Sequence, residues 1–169
     1  MSSSQSQPPR QEPEQRHTIS PAKFSKILVG VDGSEESFKA AQYAMDLAKK
    51  NKDAQLIALT VNETPSSFVN IIEQSALKKW REHSKAESET LFNRISTYGL
   101  DINSQVHLRA EIIDTDKSAY AAIVDYAEKE NVDVIVVGTR GKTGFKRILL
   151  GSVASGIVTY ATCPVLVVK

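Results

Sequence analysis

Four small residues at a long spacing are the part of this sequence best suited to hold a phosphate group. Gly138 and Gly141 follow an apolar run, and Gly151 and Ser152 come after nine further residues. Glycine permits unusual backbone angles and lacks the side chain that would keep a ligand away from the main chain. A helix that begins at Gly151 and Ser152 would present free N–H groups and the positive end of its dipole. The spacing therefore predicts a backbone site for an anion.

Charged and hydroxyl side chains lie beside this pattern and at a second predicted strand end. Arg140 and Lys142 add positive charge near the glycines, and Asp32 and Ser34 follow the first apolar run. A charge-assisted hydrogen bond contributes about 1.5–3 kcal/mol, so three or four would hold a triphosphate at micromolar concentration. Each residue also has an ordinary interpretation: Asp32 as a turn residue, Ser152 as a helix cap, the cations as solvated charges. The conjunction of two strand ends favours the binding interpretation.

The sequence lacks the motifs that would make this site catalytic. Phosphoryl transfer needs a positioned base or water-orienting residue, usually together with a metal ion. Neither a Walker A sequence nor a His-x-x-His pair is present, and we expect His83 and His107 to be structural or merely exposed. We therefore expect binding rather than catalysis, with no catalytic residue and no metal ligand beyond Asp32. A slow ATPase, or self-phosphorylation on Ser152 or Thr143, is the enzymatic alternative.

Short apolar runs alternate with helical patterns, and these elements would position the residues above. Most of the runs are continuously apolar, which is typical of strands buried on both faces of a parallel sheet, whereas residues 105–113 have a mixed pattern. The predicted strands are residues 27–31, 55–61, 105–113, 134–138 and 164–168, and the predicted helices begin near Ser34, Phe68, Asp116 and Ser152. Ser34 and Asp116 are the expected caps of the first and third helices, with Glu35 and Glu36 favourable in the first turn after Ser34. The polar stretch from Arg81 to Thr90 could divide the long second helix. We predict an α/β fold with a single open five-stranded parallel sheet flanked by helices.

Composition restricts the class of protein. The chain has 169 residues, 41% of them hydrophobic, which is enough for one domain with a buried core. A net charge of +1 disfavours a nucleic-acid partner. The absence of an apolar run of about 18 to 20 residues disfavours a membrane span. The single cysteine, Cys163, and a start without an apolar segment favour the cytoplasm. We predict a disordered tail at residues 1–23 and a domain at residues 24–169.

The sequence resembles the universal stress protein family, a branch of the adenine-nucleotide α-hydrolase-like superfamily, from about Phe24 to Lys169. The motifs that carry the resemblance are KILVGVDGS from Lys26, DVIVVGTRG from Asp133, LGSV from Leu150 and CPVLVV from Cys163. ATP-binding members of the family carry the pattern G-x2-G-x9-G-[ST]. The residues that match this pattern are Gly138, Gly141, Gly151 and Ser152. The resemblance implies a Rossmann-like sheet with strand order 3-2-1-4-5.

The resemblance also implies a ligand and the residues that contact it. The ligand would be ATP, with or without a bridging Mg²⁺ ion. Asp32 would hydrogen-bond the ribose or the adenine side, the backbone of Val61 would contact adenine, and Val31 belongs to the same binding set. The residues expected to hold the ribose and phosphates are Gly138, Gly141, Gly151, Ser152 and Val153, with Arg140 near the phosphates.

Proteins similar to this one usually form homodimers by pairing their last strands. The resemblance therefore implies a homodimer through Val165, Leu166, Val167 and Val168, acting as an ATP-binding regulator in a stress response. A dimeric scaffold that binds no nucleotide and recruits partners through its tail is a further alternative. Two features depart from the family pattern: the tail is extra to the minimal domain, and Ala154 stands where a hydroxyl residue could have contacted a phosphate.

Overall fold

The computed structural model describes residues 23–64, 74–99, 106–141 and 150–169. The predicted tail at residues 1–23, all but its last residue, lies outside these ranges, as do Lys142, Thr143 and the predicted start of the second helix near Phe68. The strands are β1 (Lys26–Gly30), β2 (Gln55–Glu63), β3 (His107–Thr115), β4 (Val134–Gly138) and β5 (Val165–Val168). The helices among the described residues are α1 (Glu35–Lys50), α2 (Gln74–Gly99), α3 (Ala119–Glu130) and α4 (Ser152–Tyr160).

The strands form one parallel sheet in the order β3-β2-β1-β4-β5. β1 lies at its centre, where Leu28 pairs with Ile57 on β2 and with Ile135 on β4. All three side chains are completely buried, because helices cover both faces of the sheet. This double burial explains why the strands read as continuous apolar runs rather than as alternating patterns. The predicted fold class and strand order are confirmed.

The strand order changes direction between β1 and β4. From β1 the chain builds outward to β2 and β3, and it then returns to place β4 and β5 on the other side. At such a point the loops that leave the two central strands turn to opposite faces, which opens a crevice at the carboxyl ends. The loops that follow β1 and β4 contain Asp32 and Gly141, so the topology places these two predicted residues at the crevice.

Two hydrophobic cores, one on each face of the sheet, hold the helices. Successive strand residues point to opposite faces. Ile27 therefore joins Phe38 of α1 and Ile95 of α2 in one core, while Leu28 joins Ile157 of α4 in the other. Burying a side chain of this size contributes about 1.5–3 kcal/mol. The cores thereby fix α1 and α4 on opposite sides of the crevice.

The second helix does not break at its polar middle. α2 is continuous from Gln74 to Gly99, so the division expected between Arg81 and Thr90 is wrong. Ion pairs between residues four apart line the helix, among them Lys85 with Glu89 at 4.0 Å. Such pairs stabilise an exposed helix by a few tenths of a kcal/mol each, about 0.2–0.5. Ile95 also anchors this helix in the core, because only 3% of its surface is exposed.

Two predicted boundaries near β2 and α3 are also wrong. β2 continues two residues past Val61, because it pairs with β3 as far as Glu63. α3 begins after Ser118 rather than at Asp116. The first N–H of this helix, that of Ala119, donates to the Glu63 carboxylate at 2.6 Å. The Glu63 carboxylate, at the end of β2, therefore accepts the hydrogen bond that was expected to go to Asp116.

No helix in the described part of the chain is both long and apolar enough to cross a membrane.

Candidate functional site

Asp32 sits in a tight turn at the carboxyl end of β1. The N–H of Val31 donates to the carbonyl oxygen of Leu59 on β2 at 2.9 Å, which fixes the backbone just before the turn. The Asp32 carboxylate accepts from the N–H of Ser34 at 3.0 Å and from its hydroxyl at 2.6 Å. Gly33 adopts a φ of 89°, which a residue with a side chain rarely tolerates. The carboxylate is therefore held at the mouth of the crevice.

Ser34 caps the helix that follows, as predicted. Its side-chain oxygen accepts from the N–H of Ser37 at 3.2 Å, and its own backbone is extended. Glu35 and Glu36 occupy the first turn of α1, where negative charge is favoured by the helix dipole. The first turn of α1 is consequently rigid and lies directly beside the crevice.

The end of β4 lies so close to this turn that its glycines leave no space for a side chain. A Cβ atom on Gly138 would lie 2.7 Å from the backbone carbonyl carbon of Glu36. A Cβ atom on Gly141 would lie 2.5 Å from an oxygen of the Asp32 carboxylate. Both distances are shorter than real Cβ contacts. The missing side chains therefore let the backbone after β4 reach the polar turn after β1.

Arg140 joins the two strand ends through both its backbone and its side chain. Its carbonyl oxygen accepts a long hydrogen bond from the Ser34 hydroxyl at 3.4 Å. Its guanidinium lies 3.3 Å from the Glu36 carboxylate, and the two side chains are 27% and 23% exposed. The prediction foresaw Arg140 at the site but not its carboxylate partner. Glu36 gave a signal only as a favourable charge in a first helical turn.

Gly151 closes the loop between β4 and α4 at its base. Its N–H donates to the carbonyl oxygen of Thr139 at 2.7 Å, and its carbonyl accepts from Ser155 at 2.9 Å. Gly151 is thus the N-cap of α4, and Ser152 is the first helical residue. The interpretation of Ser152 as a helix cap is wrong, because the bond to Thr139 fixes Gly151 in the capping position. The side chain of Ser152 is not used for capping.

The first turn of α4 presents backbone donors. The N–H groups of Ser152, Val153 and Ala154 have no acceptor within the helix, because intrahelical bonding begins with Ser155. Val153 is itself 37% exposed, which is unusual for a large apolar residue in this protein. α4 has nine residues, so its dipole is that of a regular helix. Of the four small residues in the pattern, Gly151 has its amide bonded internally.

Thr139 is a site residue that the sequence reading missed. Its N–H donates to the carbonyl of Val168 on β5 at 2.8 Å. Its side-chain hydroxyl is buried, and it has no hydrogen-bond partner among the described residues. Buried hydroxyls are normally hydrogen-bonded, so this one is an exception, shared among the described residues with the hydroxyls of Thr60 and Tyr126. Its position between two of the pattern glycines, Gly138 and Gly141, was the signal.

The predicted residues differ in how directly the structure connects them. Asp32, Arg140 and Gly141 meet through the contacts above. Val31, only 3% exposed, reaches the site through its backbone. Val61 lies on β2, the strand beside β1, where it pairs with Ile113 of β3. Backbone atoms of these two valines are thus the groups available from that side of the crevice.

Other features of the structure lie away from this crevice. A cavity of about 260 Å³ between α1 and α2 is lined by Phe38, Gln42, Met45 and Ile95, among others, none of them in the predicted set. Across the described ranges, no cluster of three or more His, Cys, Asp or Glu residues could hold a metal ion. Burial raises the pKa of the Cys163 thiol, which lies beside Ile135 at the opposite end of β4.

Comparison with known protein families identifies the type of domain. The family model described as universal stress protein family matches residues 23–169. The chain is 36% identical over 146 residues to universal stress protein MJ0531 of Methanocaldococcus jannaschii, covering 86% of this chain and 82% of that protein. It is 33% identical over 152 residues to universal stress protein YxiE of Bacillus subtilis, covering 86% and 99%. Both relatives therefore align over nearly the whole domain.

Solved structures share the same architecture. Hypothetical protein MJ0577 superposes with a TM-score of 0.74 at 26% identity, over 88% of this chain and 97% of that one. A universal stress protein in complex with cAMP superposes with a TM-score of 0.60 at 22% identity, over 88% and 98%. One from Archaeoglobus fulgidus in complex with dAMP gives 0.60 at 18%, over 88% and 100%. At the last two identities the likeness establishes the fold alone.

Proposed function

The chain belongs to the universal stress protein family, and we propose that it binds an adenine nucleotide, ATP in particular, in the crevice between β1 and β4. One observation carries the proposal. The backbone around Gly141 approaches the Asp32 carboxylate so closely that a Cβ atom would lie 2.5 Å from it. A ligand that hydrogen-bonds Asp32 therefore also lies against main chain that no side chain screens.

We assign different residues to the ribose, the adenine ring and the phosphates of the ligand. Asp32 accepts hydrogen bonds, so it suits the hydroxyl groups of a ribose. The backbone of Val61 has an amide and a carbonyl of the kind that suits the edge of an adenine ring, whereas the Val31 N–H is already bonded to Leu59, so Val31 would contribute its carbonyl. The ribose and phosphates are assigned to Gly138, Gly141, Gly151, Ser152 and Val153, with Arg140 near the phosphates. Because the Gly151 N–H is bonded to Thr139, Gly151 contributes by its lack of a side chain rather than as a donor. A Mg²⁺ ion on the phosphates would have Asp32 as its only carboxylate from this set.

The chemistry of the site fits a phosphate group. The N–H groups of Ser152, Val153 and Ala154 open α4 without intrahelical acceptors, and such a helix end attracts anions. Thr139, between Gly138 and Gly141, carries a buried hydroxyl that has no partner among the described residues. Two solved structures of the same fold are in complex with cAMP and with dAMP, so the fold accommodates adenine nucleotides. For this chain, however, the proposal depends on its own residues.

We expect calorimetry to give a micromolar Kd for ATP, which corresponds to about 8 kcal/mol. Gly141→Val should weaken binding at least about 100-fold, because its side chain would displace the Asp32 carboxylate from the ligand position. Gly30→Ala is the matched control. A Cβ atom at Gly30 makes only ordinary contacts, the nearest being Ile123 at 3.5 Å, so ATP affinity should not change. Millimolar or undetectable binding by the wild-type protein would refute the proposal.

We also propose that the protein is a cytoplasmic homodimer that acts as a stress-response regulator rather than as an enzyme. β5 is an edge strand of the sheet, and an edge strand offers unpaired backbone groups to a second copy. Large apolar side chains near the end of the chain are exposed, including Tyr160 at 61% and Leu166 at 39%. Pairing through Val165, Leu166, Val167 and Val168 would cover part of this surface. The single cysteine, Cys163, favours the cytoplasmic location.

Sedimentation equilibrium tests the homodimer. The wild-type protein should have twice the mass of the chain, and Leu166→Lys should have the mass of one chain, because a lysine ammonium blocks the apolar edge. Tyr43→Lys is the control, since Tyr43 is another large exposed side chain, 59% exposed, that lies on α1 rather than on β5. This variant should remain dimeric. A monomeric wild-type protein, or equal effects of both substitutions, would contradict the β5 interface.

A further inference from the structure

We propose that Glu36 competes with the phosphates of the ligand for the Arg140 guanidinium, and so lowers the preference of the crevice for triphosphates over monophosphates. This inference depends on the proposed function, because it concerns the same site. It assigns a specificity-determining role to a residue outside the predicted binding set.

The pair occupies a place where both backbones are already fixed. The main chain of Glu36 lies against Gly138, with 2.7 Å to the position a Cβ atom would take. The carbonyl of Arg140 accepts from the Ser34 hydroxyl at 3.4 Å. The two backbones therefore also meet through contacts other than the ion pair. The ion pair determines where the Arg140 guanidinium points, because one of its nitrogens lies 3.3 Å from an oxygen of the Glu36 carboxylate.

Burial makes this pair different from an ordinary surface ion pair. The two side chains are 27% and 23% exposed, whereas the exposed pair Lys78–Glu82 on α2 is 77% and 65% exposed. Charges shielded from water interact more strongly, and an anion entering the site would meet the Glu36 carboxylate as well as the guanidinium. A guanidinium donor that Glu36 holds is not available to a phosphate, and the Glu36 carboxylate also repels the phosphate charge. This repulsion grows with the number of phosphate charges.

Substitution of Glu36 by Gln separates charge from geometry. Glutamine has almost the same shape and keeps an oxygen that accepts from Arg140, but it removes the negative charge. Glu36→Gln should raise ATP affinity about tenfold, equivalent to about 1.4 kcal/mol, and AMP affinity less than about twofold. Glu35→Gln is the matched control, because Glu35 occupies the same helical turn and is exposed. It makes the same change in net charge and should alter both affinities less than about twofold.

Inorganic tripolyphosphate tests the inference without the nucleoside. It should raise the melting temperature of Glu36→Gln more than that of the wild-type protein or Glu35→Gln. If no protein binds ATP but tripolyphosphate still stabilises Glu36→Gln selectively, the nucleotide proposal fails and the competition stands. If ATP binds and Glu36→Gln leaves its affinity unchanged or lowers it, the competition is overturned while the nucleotide proposal stands. Equal effects at positions 35 and 36 would also overturn it, since they would reflect net charge alone.

Discussion

The two central strands, β1 and β4, both end in glycine, but only one of these glycines is required by its surroundings. A Cβ atom on Gly30 would meet Ile123 at 3.5 Å and Val137 at 3.7 Å, which are ordinary packing distances. A Cβ atom on Gly138 would meet backbone atoms of Glu36 at 2.7 and 2.9 Å. Backbone atoms in a capped helical turn cannot move aside cheaply.

The two strand ends build the crevice in opposite ways. The end of β1 contributes side chains, namely the Asp32 carboxylate and the Ser34 hydroxyl that it accepts from. The end of β4 contributes backbone, which approaches because Gly138 and Gly141 lack side chains. The role of a glycine motif can therefore be understood only together with the surface that its glycines pack against. The three predictions below test this contrast, in order of decreasing effect.

The largest effect should come from adding one methyl group to each strand end. Gly138→Ala should lower the free energy of unfolding by about 2–3 kcal/mol, because it forces β4 away from the first turn of α1. Gly30→Ala should leave stability unchanged or raise it by up to about 1 kcal/mol, since alanine restricts the unfolded chain. Urea unfolding of both variants measures the difference. Equal losses at the two positions would show that the strand ends do not differ.

A smaller difference in the free energy of unfolding is expected between substitutions of the two N-cap serines, Ser34 and Ser118. Ser34→Ala should cost about 1 kcal/mol, because its oxygen accepts from Ser37 and its hydroxyl donates to Asp32. Ser118 is the N-cap of α3 but makes no side-chain capping bond, and Glu63 reaches the first N–H instead. Ser118→Ala should therefore cost no more than a few tenths of a kcal/mol, about 0.3. Thermal and urea unfolding would contradict the assignment if Ser118→Ala were the more costly change.

The smallest effect concerns the amino-terminal end of β4, where Cys163 lies beside Ile135. Burial raises the pKa of this thiol above that of a thiol in the unfolded chain. The folded state therefore keeps its proton to higher pH, and the resulting stability is present below the unfolded pKa and is lost as the pH rises through the folded pKa. Between about pH 8 and 10, the wild-type protein should lose slightly more stability than Cys163→Ala.

Alkylation of the thiol checks the same shift independently. Iodoacetamide should modify native Cys163 more slowly than it modifies the protein in urea, because the thiolate is the reactive form. Equal rates in the two states would contradict the raised pKa.

The sequence was sufficient for the fold because local and global signals agree. Central strands such as Val134–Gly138 are apolar throughout, and five strands alternating with helices admit few topologies. The edge strand His107–Thr115 is mixed in pattern and only partly buried. The glycine spacing located the crevice for a similar reason, since each glycine follows a strand or precedes a helix. These features depend on residues that are close together along the chain.

Contacts between residues that are far apart along the chain could not be predicted from local sequence patterns. Glu36 and Arg140 are separated by more than a hundred positions, and nothing in either local sequence indicates that they pair. The same holds for Glu63 and Ala119, where a strand carboxylate replaced the expected cap. Thr139 was missed because a lone threonine after a strand is ordinary until its hydroxyl is seen to be buried without a partner.

The hydrogen bond from the Gly151 N–H to Thr139 has a consequence for protein engineering. At 2.7 Å it holds together the two ends of the connection between β4 and α4. Once the ends of a connection are joined, doubling its length costs only about 0.6 kcal/mol of closure entropy. An insertion that lengthens this connection would therefore cost little closure entropy.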